Sequence, residues 1–396
     1  MQFNRVENQL LVLCARMPMA DDDVQALRSL LQRPIDWDYL IDIALNHQVL
    51  PLLHENIKRA PDGIVSHEHL AQLEDVYQPI FLSSISQTME LKTMLRLFQE
   101  HRIPVIPLKG PVLAQSLYNN VALRMYTDLD LFVPRDRVDE ATALFLNNGY
   151  RFSAKQDHRK NVKTEQLLHH YQVVKDDRFY VELHWSLAPQ FSSTPGEDAL
   201  FWNSAREESC LGMTVLLPSP EEQLIYLCQH GTRHVWTRLM WVCDVTQQLR
   251  VHPAMDWAYI LDRVTRSHIK RQFLLGLHLS SRIFGTTLPA EIEREIASDG
   301  KIPPMSEQII GHIFEEKGQT REERFVSTHL MRLRTREGRG QQFRYLYEMM
   351  RLKSRPTAKD MESVPPFLRF MSYLRRPFRL VRVYGRVLFQ RFRRSE

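Results

Sequence analysis

Asp128 and Asp130 stand one residue apart in the apolar run Thr127 to Val133, and about twenty residues upstream a second apolar run, Val105 to Leu108, ends in the pair Lys109-Gly110. Side chains alternate along a strand, so the two aspartates share one face while Leu129 and Leu131 share the other. Two carboxylates ~7 Å apart on one face repel each other unless a cation neutralises them. The pair therefore points to a strand at a divalent-cation site. Oxygen ligands of this kind suit Mg²⁺ or Mn²⁺, held through a few carboxylates together with the phosphates of a substrate.

The surrounding texture defines a small α/β unit. Gly110-Pro111 opens a helix that continues to about Tyr118, and Pro134 ends the strand. Asp136 is expected to cap a helix running through Asn147, closed by Asn148-Gly149 as a left-handed C-terminal signal. Tyr171 to Lys175 and Phe179 to Trp185 flank the short turn Asp176-Asp177-Arg178 and read as a β-hairpin. The order is strand, helix, strand, helix, strand, strand.

Helices flank that unit on both sides. Apolar residues recur at helical spacing from Asp36 to Ile57, with Asp36 or Asp38 as the cap, and again from Ile80 to Phe98. After a polar linker from Pro189 to Pro195, Ser219 is an N-cap, Pro220 the first helical residue and Glu222 the third, the pattern of a capping box. Helices then follow to about Gly285. The expected fold is α+β, a small α/β core with a mixed sheet at 99–190, between helical segments at 1–98 and 191–320 and a basic, helical extension at 321–396.

Chemistry gathers in the core. In FYVELHW the residues Tyr180, Glu182 and His184 share a strand face, so pairing beside Thr127 to Val133 brings Glu182 to both aspartates. A three-carboxylate cluster of this kind suits two metals, one activating an attacking hydroxyl and one steadying a triphosphate, with Glu182 as general base or orienter of the hydroxyl. Lys109-Gly110 places backbone N–H groups, a positive helix end and an ammonium where a phosphate binds.

The succession LKG, a helix containing LY, LRMYTDLDLFV, NNGY and VELHWSL resembles the nucleotidyltransferase-like families of the DNA polymerase β superfamily, in particular a bacterial group of largely unknown substrate. DWDYLIDIALNHQVLPLL and HGTRHVWTRLMWVCDV are similar to that group as well, so the resemblance spans about residues 35 to 290. It implies a nucleotidyltransferase-type core in which Asp128 and Asp130 bind metal, Glu182 is the third carboxylate, and Lys109-Gly110 replaces the Gly-Ser or Gly-Gly turn of the wider superfamily.

Other candidates carry two readings each. Arg124 either neutralises a triphosphate or pairs with an acid. His184 either contacts substrate or packs beside Trp185, and Asp244 either braces an interface or contacts nucleotide or acceptor. His230 and His234 have the spacing of a helical zinc pair, but the protease pattern needs a glutamate where Gly231 stands. Trp236, Trp241 and Trp257 read as core. Cys14, Cys210, Cys228 and Cys243 are too scattered for a zinc ribbon and read as reduced packing residues.

The formal net charge of +5 is unevenly spread. From Arg351 onward eleven arginines and two lysines face Asp360, Glu362 and Glu396, and the mixture of arginine with Phe, Leu, Val and Tyr from Arg375 to Arg394 suits an anionic membrane surface, nucleic-acid phosphates or an acidic partner. The N-terminus lacks the long apolar core of a signal peptide and no segment has the eighteen or so apolar residues of a spanning helix, so the expected location is cytoplasmic or membrane-peripheral.

Together these features imply Mg²⁺-dependent transfer of a nucleoside monophosphate from an NTP to an acceptor hydroxyl, with release of pyrophosphate. The acceptor classes are RNA, protein, small molecule and sugar. Two alternatives stand beside it: a kinase-like phosphoryl transferase on the same core, and a non-catalytic binding module recruited by the basic tail.

Overall fold

The α/β segment forms a five-stranded mixed sheet that includes a short, fully buried strand bearing Leu129, Leu131 and Phe132. The computed structural model describes residues 5–153, 169–188, 196–314 and 321–353. In it β1 (Ile106–Pro107), β2 (Leu129–Phe132), β3 (Arg151–Phe152), β4 (His170–Lys175) and β5 (Phe179–His184) lie in the order β1-β2-β5-β4-β3. β2 pairs antiparallel with β1 and parallel with β5, while β4 is antiparallel to both β5 and β3. All four residues of β2 are buried, as expected of a central strand covered on both sides.

The first five helices, α1 (Val6–Cys14), α2 (Asp21–Leu31), α3 (Trp37–Asn46), α4 (Leu50–Ile57) and α5 (His67–Glu100), precede the sheet. Asp36 caps α3, its carboxylate accepting from Tyr39 N at 3.0 Å. The stretch expected to be one helix from Asp36 divides into α3 and α4 because Gln48 turns left-handed, with φ 58°. α5 runs through Pro79 and begins well before Ile80, since its first turns face solvent and show little apolar period.

Two further helices belong to the sheet unit: α6 (Gly110–Tyr118) and α7 (Val138–Asn147). The cap expected of Asp136 is not formed. A single 3-10 turn, Arg135–Arg137, intervenes, and α7 starts from Arg137 without a side-chain cap. After β5 come α8 (Glu197–Ser204), the hairpin β6 (Arg206–Cys210) and β7 (Met213–Leu217), and then α9 (Pro220–Arg233), α10 (Leu239–Val251), α11 (Trp257–Arg266), α12 (Lys270–Phe284), α13 (Ala290–Ser298), α14 (Ile302–Phe314), α15 (Arg321–Arg334) and α16 (Arg339–Lys353). The basic stretch from residue 354 onward lies outside the described residues, as does the Pro189 to Pro195 linker.

Ser219 caps α9 by accepting from Glu222 N. The Glu222 carboxylate does not return to the cap; it turns inward to Arg263 Nε at 2.9 Å and to Tyr259 Oη at 2.6 Å. Burial explains the choice, since both Glu222 and Arg263 are nearly inaccessible and each needs the other as counter-charge.

Three apolar clusters organise the packing. One joins α1–α4 with α9–α14 around Leu10, Leu40, Leu50 and Phe273. A second lies between α5, α7 and one face of the sheet, with Leu129, Leu131, Val181 and Leu183 contributed by the strands. On the opposite face Phe132, Phe201 and Tyr226 form a small third cluster. Burying a side chain such as Phe132 in this way contributes about 1.5–3 kcal/mol. Asp130 shares that opposite face with Phe132, which places its carboxylate between the sheet and α9.

Among the described residues, no helix is long and apolar enough to cross a membrane.

Candidate active site

Strand register sets the centre of the site. On the parallel β2–β5 ladder Asp130 is opposite Glu182, and Phe132 is opposite His184. Asp128 lies in a bend one residue before β2, not within the strand as the apolar alternation suggested. It nevertheless borders the same cavity, of about 350 Å³, as Lys109, Gly110, Asp130 and Glu182. The structure thus brings together the three carboxylates and the Lys109-Gly110 turn.

Gly110 has φ +66°, and an added Cβ would lie 3.6 Å from Leu129 Cδ2. Backbone conformation, not lack of room, calls for glycine at this position. The turn carries Lys109 to Asp130, Nζ to Oδ2 being 3.1 Å, while Leu108 N donates to Asp130 O at 3.0 Å. The other Asp130 oxygen, Oδ1, accepts from His184 Nε2 at 3.0 Å. His184 Nε2 is also 3.3 Å from Glu182 Oε2, and Gln172 Nε2 donates to Glu182 Oε1 at 3.4 Å.

Burial and these partners separate the behaviour of the acids. Burial, with Asp130 beside it, pushes Asp128 up to about 6 against the pull of Lys109. Burial acts upward on Asp130 too, but Lys109 and His184 outweigh it and hold the carboxyl well below its ordinary value. Glu182 is likewise held low: burial opposes, and His184 and His170 prevail. For His184 burial acts downward, yet Asp130 and Glu182 raise it. Lys109 follows the same pattern, burial being overcome by Asp130, Tyr226 and Asp128.

Residues expected at the phosphates divide. Lys109 reaches the cavity, but its ammonium is engaged by Asp130 rather than free to meet a phosphate. Arg124 borders the cavity while its guanidinium grips Asp244, Nε to Oδ1 at 3.0 Å and Nη2 to Oδ2 at 2.9 Å, with Tyr118 Oη also on Asp244 Oδ1 at 3.2 Å. Of the two readings for Arg124, pairing with an acid is the one found. Asp244, 1% exposed, braces α10 to α6 and the loop before β2 and presents no oxygen to the cavity.

Several residues of the site, among them Tyr226, Arg233, His169 and His170, were not singled out from sequence. Tyr226, His230, Arg233 and His234 line one face of α9 and its C-terminal end at spacings i, i+4, i+7 and i+8, the face turned toward the sheet. The His230 and His234 rings lie with centroids 4.6 Å apart, tilted by 51°, and both contact the Trp241 ring. His169 and His170 reach the cleft from the start of β4, and His170 Nε2 is 3.7 Å from Glu182 Oε1.

The group Asp130, Glu182 and His184 presents ligand atoms within 4.8 Å of one another. His184 Nδ1 is buried without a hydrogen-bond partner, and Asp128 is raised by burial and then by its acidic neighbour. Three carboxylates converging on one cavity, with one of them disfavoured as an anion, fit a divalent cation. Mg²⁺ and Mn²⁺ match this oxygen-rich donor set.

Residues 33–285 match the family described as uncharacterised nucleotidyltransferase. No curated protein is significantly similar to the chain. Among solved structures, a crystal structure of ANT(2'')-Ia in complex with adenylyl-2''-tobramycin is 15% identical over 42% of this chain and 98% of that one, with a TM-score of 0.28. A solution structure of the antibiotic-resistance factor ANT(2'')-Ia is 15% identical over 47% of this chain and 99% of that one, with a TM-score of 0.30.

Proposed function

The chain belongs to the uncharacterised nucleotidyltransferase family, and from that premise we propose that it moves a nucleoside monophosphate from an NTP to an acceptor hydroxyl. The observation that supports this most is the convergence of Asp128, Asp130 and Glu182 on the cavity that also holds the Lys109-Gly110 turn. Asp128, Asp130 and Glu182 would hold Mg²⁺ or Mn²⁺, which supplies neutralisation of the triphosphate and a lower pKa for the attacking hydroxyl.

The remaining work falls to side chains of the chain itself. Glu182, kept anionic by His184 and His170, accepts the proton of the acceptor hydroxyl. The hydroxyl oxygen bonds to the α-phosphorus as the bond from that phosphorus to the pyrophosphate oxygen breaks, and the pair of electrons leaves with pyrophosphate. Lys109 turns from Asp130 to the departing phosphates, and the positive end of α6 faces the same charge. The buried Arg124–Asp244 pair positions the loop that carries Asp128.

Calorimetry of each NTP with Mg²⁺, comparing the intact protein with an Asp128→Asn/Asp130→Asn variant of verified fold, tests this reading. Metal-dependent binding that the variant loses supports it, and binding that is equal in both proteins removes it. One observation favours a second reading, the non-catalytic module: the Lys109 ammonium already neutralises Asp130. Nucleotide binding without any pyrophosphate release, across sugar, RNA, protein and small-molecule acceptors, would select that reading. A product heavier by phosphate alone would select the kinase-like alternative.

A further inference from the structure

The cleft has a second lobe, of about 310 Å³. It shares Lys109, Asp130 and Glu182 with the lobe just described, but Asp128 and Gly110 do not border it. Instead the lobe is bordered by three arginines, Arg233 at the end of α9, Arg332 in α15 and Arg336 just after it. The only acids among the described residues that border it are Asp130 and Glu182; His184 engages both and Lys109 engages Asp130.

The arginines are held in place. Arg332 Nε donates to Arg233 O at 2.8 Å, Arg233 donates to Leu187 O, and the Arg336 guanidinium lies 4.3 Å from the ring centre of Tyr345, which is itself almost fully buried. Their field is felt nearby. Burial first, then Arg233, Lys109 and Arg332, bring His234 down to about 3. Arg336 is lowered to about 10 by burial and, against Tyr345, by Arg332 and Arg344. A half-enclosed wall of like charge is stabilised by a bound anion, and guanidinium forks match the tetrahedral oxygens of a phosphate better than a point charge does.

Two of the three arginines lie outside residues 33–285, the span that matches the family. They therefore add to the transferase core at its Glu182 side, where an acceptor hydroxyl would enter. We propose that the acceptor is a small molecule bearing a phosphate or comparable dianion, gripped by Arg233, Arg332 and Arg336 while its hydroxyl meets Glu182; this assignment rests on the transfer proposed above. The lobe volume suits a small molecule rather than a macromolecular end.

The test is calorimetry on the full chain with inorganic phosphate, glucose 6-phosphate and glucose, each titrated in Mg²⁺ with a non-hydrolysable NTP analogue occupying the other lobe. Both phosphates should bind and glucose should not. Arg332→Gln with Arg336→Gln should weaken phosphate binding by about tenfold or more, the loss of at least one charge-assisted hydrogen bond, and leave analogue binding unchanged. Should that variant not fold, Arg332→Lys with Arg336→Lys, which keeps the charge but not the fork, must still weaken phosphate binding.

Phosphate binding that is absent in the intact protein, or undiminished in the variants, overturns the proposal. Loss of analogue binding in parallel with phosphate also overturns it, by assigning the arginines to the triphosphate. If the intact protein binds no analogue, the transfer reading fails instead, and phosphate titrated alone decides whether the arginine lobe is an anion site.

Discussion

Asp130 faces Glu182 across one rung of the parallel β2–β5 ladder, and the His184 imidazole bridges them, Nε2 lying 3.0 Å from one carboxylate and 3.3 Å from the other. Two acids so placed repel unless a positive group lies between them. His184 lies between them at the end of β5, two residues beyond Glu182 on the same strand face, and the two carboxylates raise its pKa above the ordinary imidazole value. The bridge keeps both oxygens aimed into the cleft.

Replacing Glu182 by Gln preserves the side-chain shape and removes the proton acceptor. Pyrophosphate release is expected to fall by about 10²- to 10⁴-fold, while nucleotide still binds at saturating Mg²⁺. Equal rates in the two proteins would remove Glu182 from proton transfer.

Asp128 predicts an unusual pH response of the metal-free protein. Its folded value, about 6, is above the ordinary 3.8, so the folded state binds the proton more tightly and stability is lost as pH rises from about 4 to about 6. Asp128→Asn removes this titration. In EDTA the melting temperature of the variant, relative to the original protein, should therefore rise across that window, and saturating Mg²⁺ should abolish or reverse the trend.

The buried Arg124–Asp244 pair is expected to matter for stability more than for chemistry. Asp244→Ala leaves a guanidinium without its counter-charge and should cost about 3–5 kcal/mol, read by urea denaturation. Arg124→Met with Asp244→Leu should recover much of that loss, because two apolar groups replace two desolvated charges. A double variant no better than Asp244→Ala would contradict this account.

Gly231 makes room for an indole. A Cβ there would come within 2.4 Å of the Trp236 ring, and Trp236 is fully buried. Gly231→Ala should destabilise the fold by about 1–3 kcal/mol through overpacking. Combined with Trp236→Leu, the loss measured by thermal melting should be smaller than the sum of the two single losses.

Local patterns in the sequence foretold much of the centre of the molecule. The β4–β5 hairpin, the helix opened by Gly110-Pro111 and the Ser219 cap all depend on neighbours a few residues away, which a sequence displays directly. The common face of Glu182 and His184 follows from the period of a strand in the same way. The Asp128–Asp130 pair was half legible: Asp130 lies in the strand, but Asp128 lies in the bend before it, where alternation no longer governs direction. Asp136 looked like a cap because acids commonly cap helices, but an intervening 3-10 turn moved the helix start beyond it.

Long-range pairing of buried charges was not legible. Nothing near Arg124 announces Asp244, and nothing in the Glu222 capping pattern announces Arg263; in both cases the need to neutralise a buried charge chose the partner after the helices had packed. Arg332 and Arg336 escaped notice for the same reason. Their sequence neighbourhood is an ordinary charged helix end, and only its return to the cleft beside Arg233 gives them a common ligand.

The parallel pairing of β2 with β5 has a consequence for how the molecule assembles. Parallel neighbours cannot be joined by a tight turn, and Asp130 and His184 are 54 positions apart. α7, β3 and β4 lie in the chain between the two strands, so pairing those strands closes a long loop. No short stretch carries the candidate cation site, and a collapsed state with helices formed but this one ladder open would lack it. On the cation role proposed above, affinity gained during refolding is expected to report the closing of this single pair of strands, independent of the helix signal that dominates circular dichroism.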